Sequence, residues 1–247
     1  MDCRCLVPLM LLTLGACASV ETVPPKLEAG RTVGIISAIG DELTLTPSGL
    51  TGANGAERAF SIEPWGIDDL IISRASAALS ARFQVRPVSY RRAAFAARDR
   101  TSPIAVANLL RGDPVKQLVR TEVPAPGVDV LVVVTKASSP YGSRGAPVRG
   151  VGIVNKVAVL GSSAVLHALY MIRVIDAHSF EVTGRKSAAP FDGTSTIRLP
   201  GPSRMIETAL VPSSDDVASN EALKAAVIDL IERSLEPTLR DLGLTGP

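Results

Sequence analysis

The chain has 247 residues, of which 46% are hydrophobic and 4% aromatic, and its formal net charge is +2. A charge this close to balance and so few aromatic side chains argue against nucleic acid as a partner, which calls for a basic surface and stacking platforms. Beyond the N-terminal segment no run of 18 uninterrupted apolar residues occurs. We therefore expect no second membrane-spanning helix.

The N-terminus carries the strongest pattern in the chain. Residues 6–14 form an apolar run of nine, which is typical of a signal peptide and too short to span a bilayer. The run ends in Leu14, Gly15, Ala16 and Cys17, which resembles the bacterial lipobox: an aliphatic residue and two small residues before a cysteine. The resemblance implies a signal peptide over 1–16 and a diacylglycerol, with acyl chains such as palmitate, on the Cys17 thiol.

Cysteine usage agrees with lipid attachment. The three cysteines are Cys3, Cys5 and Cys17, so cleavage after residue 16 leaves Cys17 alone in the mature protein. Several acyl chains on one terminus anchor a protein to a bilayer more firmly than one chain does. The alternative interpretation is an ordinary buried first strand or helix with incidental cysteines.

Residues 17–30 are expected to form the lipidated terminus and a flexible tether. This stretch has no hydrophobic periodicity, and Pro24 and Pro25 stiffen it. In bacteria whose sorting system reads the residue after the lipidated cysteine, Ala18 in place of Asp implies the outer membrane. We therefore expect a domain that is anchored there and faces the periplasm.

Residues 31–247 are expected to form a single mixed α/β domain, with a central mixed β-sheet flanked by helices. The segment 31–45 indicates a β-hairpin or two short strands around a Gly-Asp turn. Apolar spacing predicts an amphipathic helix over 67–83, and alternation predicts a strand over 83–90. The order strand, helix, strand indicates a βαβ-like unit.

The second half of the domain alternates in the same way. Pro after Ser102 or Asp113 predicts the starts of two helices. Further predictions are a core strand over 128–135, a long exposed loop over 136–149, strands over 150–160 and 164–176, a hairpin strand over 180–185, an irregular stretch over 186–216, and a last helix capped by Ser219 or Asn220 and bent or ended at Pro237.

This layout resembles a group of small α/β domains in bacterial envelope proteins. The group includes the N-terminal domain of the Tol-system protein TolB and the curli-secretion lipoprotein CsgG. The residues that carry the resemblance are 33–36, the helix over 67–83 with the strand that follows, the strand 128–135, and 171–176 before a hairpin. The chain departs from that pattern at 177–180, where the group usually has Thr-Gly. The resemblance implies a fold and leaves function open.

No motif for a metal, a cofactor or a catalytic centre stands out. His167 and His178 are the only histidines and neither has a second ligand at metal spacing, so we expect a core histidine and a solvated turn residue. The chain lacks the phosphate loop, the dinucleotide motif and the nucleophile elbow, and we expect no cofactor. Two acid pairs, Asp68–Asp69 and Asp215–Asp216, suit helix starts better than catalysis.

Two sets of residues are candidates for contact with a partner protein. Arg91 and Arg92 begin a basic cluster that continues with Arg98 and Arg100, and the alternative interpretation, which the pattern favours, is a solvated helix face. The expected loop 136–149 contains Tyr141, Arg144 and Arg149, and loops on a rigid scaffold often carry binding residues.

These observations favour a membrane-anchored, non-enzymatic periplasmic lipoprotein that acts in protein-protein interaction or envelope assembly. One alternative is a periplasmic hydrolase or transferase with an unrecognised site that gathers Asp68, Asp69 or His167. Another is a lipoprotein that binds a small molecule or glycan in an apolar cleft under the 136–149 loop.

Overall fold

The strand β8 (Gly161–Asp176) runs the length of the sheet and organises it. Its first half pairs antiparallel with β7 (Ala146–Ala158), and its second half pairs antiparallel with β5 (Val130–Lys136). On its other side, β10 (Ser203–Ile206) pairs with the first half and β9 (Val182–Ser187) with the second. Each half of β8 therefore has its own two neighbours.

The remaining strands extend the sheet outwards from β5 in one half and from β7 in the other. Strand β1 (Thr32–Ala38) lies parallel to β5, and β4 (Gln84–Arg86) lies parallel to β1. Strand β2 (Glu42–Gly49) lies parallel to β7, and β3 (Arg58–Ser61) lies antiparallel to β2. β1 leads directly into β2 through residues 39–41, and this short connection forms a corner between the two halves of the sheet.

The computed structural model describes residues 27–49, 57–101, 113–124, 126–141, 146–158, 161–190, 199, 201–213 and 216–246. Cys17, residues 1–26 and the helix predicted after Ser102 lie outside these ranges. Within them the chain forms a single mixed α/β domain, with a sheet of parallel and antiparallel strands and four helices, which confirms the predicted fold class. The helices are α1 (Ile67–Leu79), α2 (Arg92–Thr101), α3 (Pro114–Glu122) and α4 (Glu221–Asp241).

Helices cover both faces of the half that contains β5. Val130, Val132 and Val134 join the core under α1 and α4, whereas Leu131 and Val133 join a second core under α2 and α3. A strand that is buried on both faces has no polar alternation, which is why residues 130–134 form a continuous apolar run between Asp129 and Thr135.

Helices α1 and α4 lie side by side and run in the same direction. At their N-terminal ends Trp65 Nε1 donates to the carbonyl of Ala218 at 2.9 Å. Near their C-terminal ends Arg82 Nη1 donates to the carbonyl of Gly243 at 2.6 Å. These two contacts fix the pair at both ends.

The capping predictions are confirmed by the hydrogen bonds at two helix starts. Asp113 accepts from the backbone N–H of Val115 at 2.9 Å, with Pro114 as the first residue of α3. Asn220, rather than Ser219, caps α4 by accepting from Leu223 N–H at 3.0 Å.

Helix α4 does not end at Pro237, because the helix continues to Asp241. Nearby, the hydroxyl of Thr238 donates to the carbonyl of Ser234 and accepts from the backbone N–H of Ala189.

Several strand predictions are corrected. The segment 31–45 gives two strands, as one of the two alternatives predicted, whereas the hairpin alternative is wrong because β1 and β2 lie in different halves of the sheet and do not pair. The strand predicted over 83–90 is confined to β4. The prediction of a loop over 136–149 is wrong, because β6 (Ser138–Tyr141) pairs with the start of β7 as a hairpin. The irregular stretch 186–216 contains β10, which completes the first half of β8.

Part of the expected tether packs on the domain. Leu27 is 8% exposed and belongs to the core under α1 and α4. Its carbonyl accepts from Arg82 Nη2 at 3.1 Å, and the N–H of Gly30 donates to the carbonyl of Arg82 at 2.8 Å. The packed chain thus includes Leu27, four residues before the expected start of the domain.

Candidate functional site

The two acids at the start of α1 have separate environments. Asp68 is buried and accepts from the hydroxyl of Ser37 at 2.7 Å and from the N–H groups of Ile39 and Gly40 at 2.8 and 3.3 Å. The side chain of Asp69 is 72% exposed. Asp68 therefore holds the corner between β1 and β2 in place, and the two carboxylates do not form a facing pair.

The two arginines that begin the basic cluster pair with acids of the same domain. Arg91 donates twice to the carboxylate of Glu122, at 2.7 Å each, and this hydrogen bonding lowers the pKa of Glu122. Arg92 donates to Asp69 at 2.6 Å and lies 3.7 Å from Asp68. These pairs tie α2 to α3 and α1. The side chains of Arg98 and Arg100 lie outside the described residues.

The other predicted partner-binding residues belong to the β6–β7 hairpin. Arg149 is half-buried in β7, opposite Ser138 of β6. Tyr141 is the last residue of β6 and faces Ala146 across the ladder, but its side chain lies outside the description, as does the whole of Arg144. The hairpin and the arginines of α2 thus sit on different elements.

The histidines behave as the sequence predicted. His167 is fully buried in β8 with Nδ1 3.1 Å from the carbonyl oxygen of Gly150, and its burial lowers its pKa to about 4. His178 is exposed in the turn after β8, where its backbone N–H donates to the carboxylate of Asp176 at 3.1 Å. Neither histidine shares a site with Asp68 or Asp69.

A buried charge cluster that sequence reasoning missed lies where β5 ends. The side chain of Lys136 is 2% exposed, and its Nζ lies 2.5 Å from Asp41 Oδ1 and 3.0 Å from Glu42 Oε1. Its aliphatic stem crosses Gly150, where a Cβ would lie 2.9 Å from Lys136 Cδ. Gly150 also has φ +54°, a conformation that favours glycine. The available signal was a lysine two residues after the apolar run 130–134.

This cluster joins the two halves of the sheet. Asp41 lies in the corner between β1 and β2 and Glu42 begins β2, whereas Lys136 ends the strand that pairs with the second half of β8. Gly150 connects the cluster to His167 through its carbonyl oxygen. A buried lysine paired with two acids adds little net stability, but loss of one partner leaves the remaining charge uncompensated.

A groove of about 550 Å³ lies between α1 and the chain that follows β4. Its lining includes Ile35 of β1, Ile72 and Ser80 of α1, and Val85 and Val88 on the opposite wall. None of the predicted site residues with a described side chain lines it. The groove is therefore a feature that the sequence did not reveal, and it is separate from the 136–149 segment.

The wall of the groove is held against β1 by two contacts. A Cβ at Gly34 would lie 2.3 Å from Cγ2 of Val88, so glycine allows the wall to approach the strand. The hydroxyl of Tyr90 donates to the carbonyl of Ser37 at 2.9 Å and accepts from its N–H at 3.0 Å. Tyr90 thereby bonds the part of β1 that continues beyond the end of β4.

Among the described residues, no helix is long and apolar enough to cross a membrane. In that same part of the chain, no group of three or more histidine, cysteine or acidic residues is placed to hold a metal ion.

The chain matches no family model and no curated protein. The solved structures that are similar at a distance include the following three. A PelC variant from Paraburkholderia phytofirmans, solved as a dodecamer, has 11% identity and a TM-score of 0.31 over 91% of this chain and 96% of its own. The lipoprotein GNA1162 from Neisseria meningitidis has 13% identity and a TM-score of 0.28, over 83% and 100%. The hypothetical protein CT253 from Chlamydia trachomatis has 11% identity and a TM-score of 0.24, over 84% and 98%.

Proposed function

We propose that the chain is a bacterial envelope lipoprotein, anchored to the outer membrane through a lipid on Cys17 and facing the periplasm. The observation that carries this proposal is the sequence Leu14, Gly15, Ala16, Cys17 directly after an apolar run of signal-peptide length. The role is non-enzymatic: the domain contacts another envelope protein, in keeping with the resemblance to the domains of TolB and CsgG.

The position of Leu27 sets the range over which such a domain works. Leu27 is packed in the core and lies ten residue steps after Cys17. A chain of that length spans at most about 35 Å when fully extended. The anchor would keep the C-terminal ends of α1 and α4 within that distance of the lipid, because Arg82 joins Leu27 to that end.

Metabolic labelling tests the anchor. Cells that produce the chain are given radioactive palmitate, and the protein is recovered and its label counted. The Cys17→Ser variant should lose the label and stay in the precursor form, whereas Cys5→Ser, which changes a cysteine of the signal peptide, should keep both label and processing. Continued labelling of Cys17→Ser would refute the anchor.

The β6–β7 hairpin is the proposed partner contact. It branches from the middle of the sheet, and Arg149 in it belongs to a strand that is otherwise part of the core sheet. A photo-crosslinking residue at Tyr141 should capture one discrete partner in intact cells, and the same residue at Arg233, half-exposed on α4, should not. Equal capture from both positions would exclude the hairpin as the specific contact.

A further inference from the structure

The groove between α1 and the chain after β4 has an apolar interior and a basic residue at its rim. Ile35, at the bottom, is 4% exposed, and Ile72, Val85 and Val88 are half-buried along the walls. Arg86 lines the groove from an exposed position and has no ion-pair partner among the described residues. Apolar clefts of about 300–1,000 Å³ with a few polar groups are typical ligand sites.

The groove starts beside the point where the N-terminal segment joins the domain. Ser80 lines one end of the groove, and Arg82, two residues further, donates to the carbonyl of Leu27 at 3.1 Å. The α1 wall from Ile72 to Ser80 is about 12 Å long at 1.5 Å per residue. The ten residue steps from Cys17 to Leu27 span about 35 Å when fully extended, so the thiol of Cys17 comes within range of the whole groove.

We propose that this groove holds one acyl chain of the lipid carried by Cys17 while that lipid is outside a bilayer. The chain would lie on Ile35 between Ile72 and Val88, and the guanidinium of Arg86 would donate to an ester carbonyl of the diacylglycerol. The groove thus shields part of the protein's own anchor. This inference rests on the proposed lipidation of Cys17.

Photo-crosslinking from the lipid tests the inference. Cells that produce the full chain are supplied with a palmitate analogue bearing a diazirine and an alkyne, and the protein is purified and freed of detergent before irradiation. The label should attach to peptides that contain 72–80 and 85–90. In Ala77→Trp the indole fills the groove. Attachment to these peptides should then fall about fivefold or more, because the indole and the acyl chain compete for the same space.

The matched control is Ala225→Trp, the same substitution at an exposed position of α4. It should leave attachment within about twofold of the original chain, because the site is distant and shares no contacts with the groove. Labelled protein that crosslinks elsewhere, or equally in both tryptophan variants, overturns the groove while leaving the anchor intact. A chain that takes up no palmitate analogue at all overturns both proposals, and mass measurement before irradiation separates the two results.

Discussion

The Oδ1 atom of Asp68 lies 2.8 Å from the backbone nitrogen of Ile39 and accepts its hydrogen bond. Through this bond the first turn of α1 holds the corner at which the chain passes from β1 to β2. Gly40 completes the corner, because a Cβ there would lie 2.6 Å from Cβ of Ile67. The corner sends β1 and β2 into different halves of the sheet, so a single carboxylate supports the topology.

Replacing Asp68 with Ala should destabilise the domain strongly. The substitution leaves the buried N–H of Ile39 and the hydroxyl of Ser37 without an acceptor, and we expect the free energy of unfolding to fall by about 3 kcal/mol. Asp69→Ala is the control, with an expected loss of about 0–1 kcal/mol, since its side chain is 72% exposed. Urea unfolding measures the loss of unfolding free energy in both variants. Equal losses would contradict the role assigned to Asp68.

These two acids also mark the limit of what the sequence can predict. Both occupy the first turn of a helix, where acids are common, and the sequence pattern does not distinguish them. They differ because Asp68 faces the β1–β2 corner and Asp69 faces solvent, and the corner is a product of pairing between distant strands. Local patterns did predict α1, the Asp113 cap and the buried strand β5, because apolar spacing and capping act within a few residues.

Composition misled the prediction at the segment 136–149. Serine, proline and glycine indicate a loop, yet Ser138 lies opposite Arg149 in a β ladder. The pairing arises because β8 holds the rest of β7 in the sheet, so that the start of β7 offers β6 an edge to pair with. Local composition does not encode this long-range pairing. The groove was unpredictable for a related reason: Gly34 and Val88 are far apart in sequence and meet only when β4 pairs with β1.

Replacing Lys136 with Met should destabilise the domain by about 3–5 kcal/mol. The acids Asp41 and Glu42, whose side chains are 11% and 12% exposed, would then keep buried negative charge without the ammonium. Arg74→Met breaks an exposed pair with Glu232 and should cost about 0–1 kcal/mol. Chemical unfolding curves measure both; a loss at Lys136 no larger than at Arg74 would show that the acids are well solvated.

Replacing Asn220 with Ala should cost about 1 kcal/mol, because its side chain satisfies the N–H of Leu223 at the start of α4. Ser219→Ala changes the neighbouring residue, whose hydroxyl donates to the carbonyl of Asp216 at 3.3 Å and caps no helical N–H. We expect a smaller loss there. Thermal unfolding of the two variants side by side checks the assignment, and a larger shift for Ser219→Ala would reverse it.

His167 should make stability depend on pH between about 4 and 6.5. Burial lowers the pKa of the folded-state imidazole to about 4, against 6.5 for an unperturbed histidine. Below pH 6.5 the unfolded chain binds a proton that the folded domain does not bind until about pH 4. The contribution of His167 is therefore complete above 6.5, falls as the pH drops towards 4, and falls no further below that.

Between pH 7 and pH 5 this linkage should lower the free energy of unfolding by about 2 kcal/mol. His167→Gln removes the titrating group, so the difference between the two pH values should nearly vanish, whatever the absolute stability of the variant. His178→Gln changes the exposed histidine of the turn and should keep the full difference. Denaturant unfolding at both pH values measures the difference directly. If the fall persists in His167→Gln, another group takes up the proton and the buried imidazole is not the source.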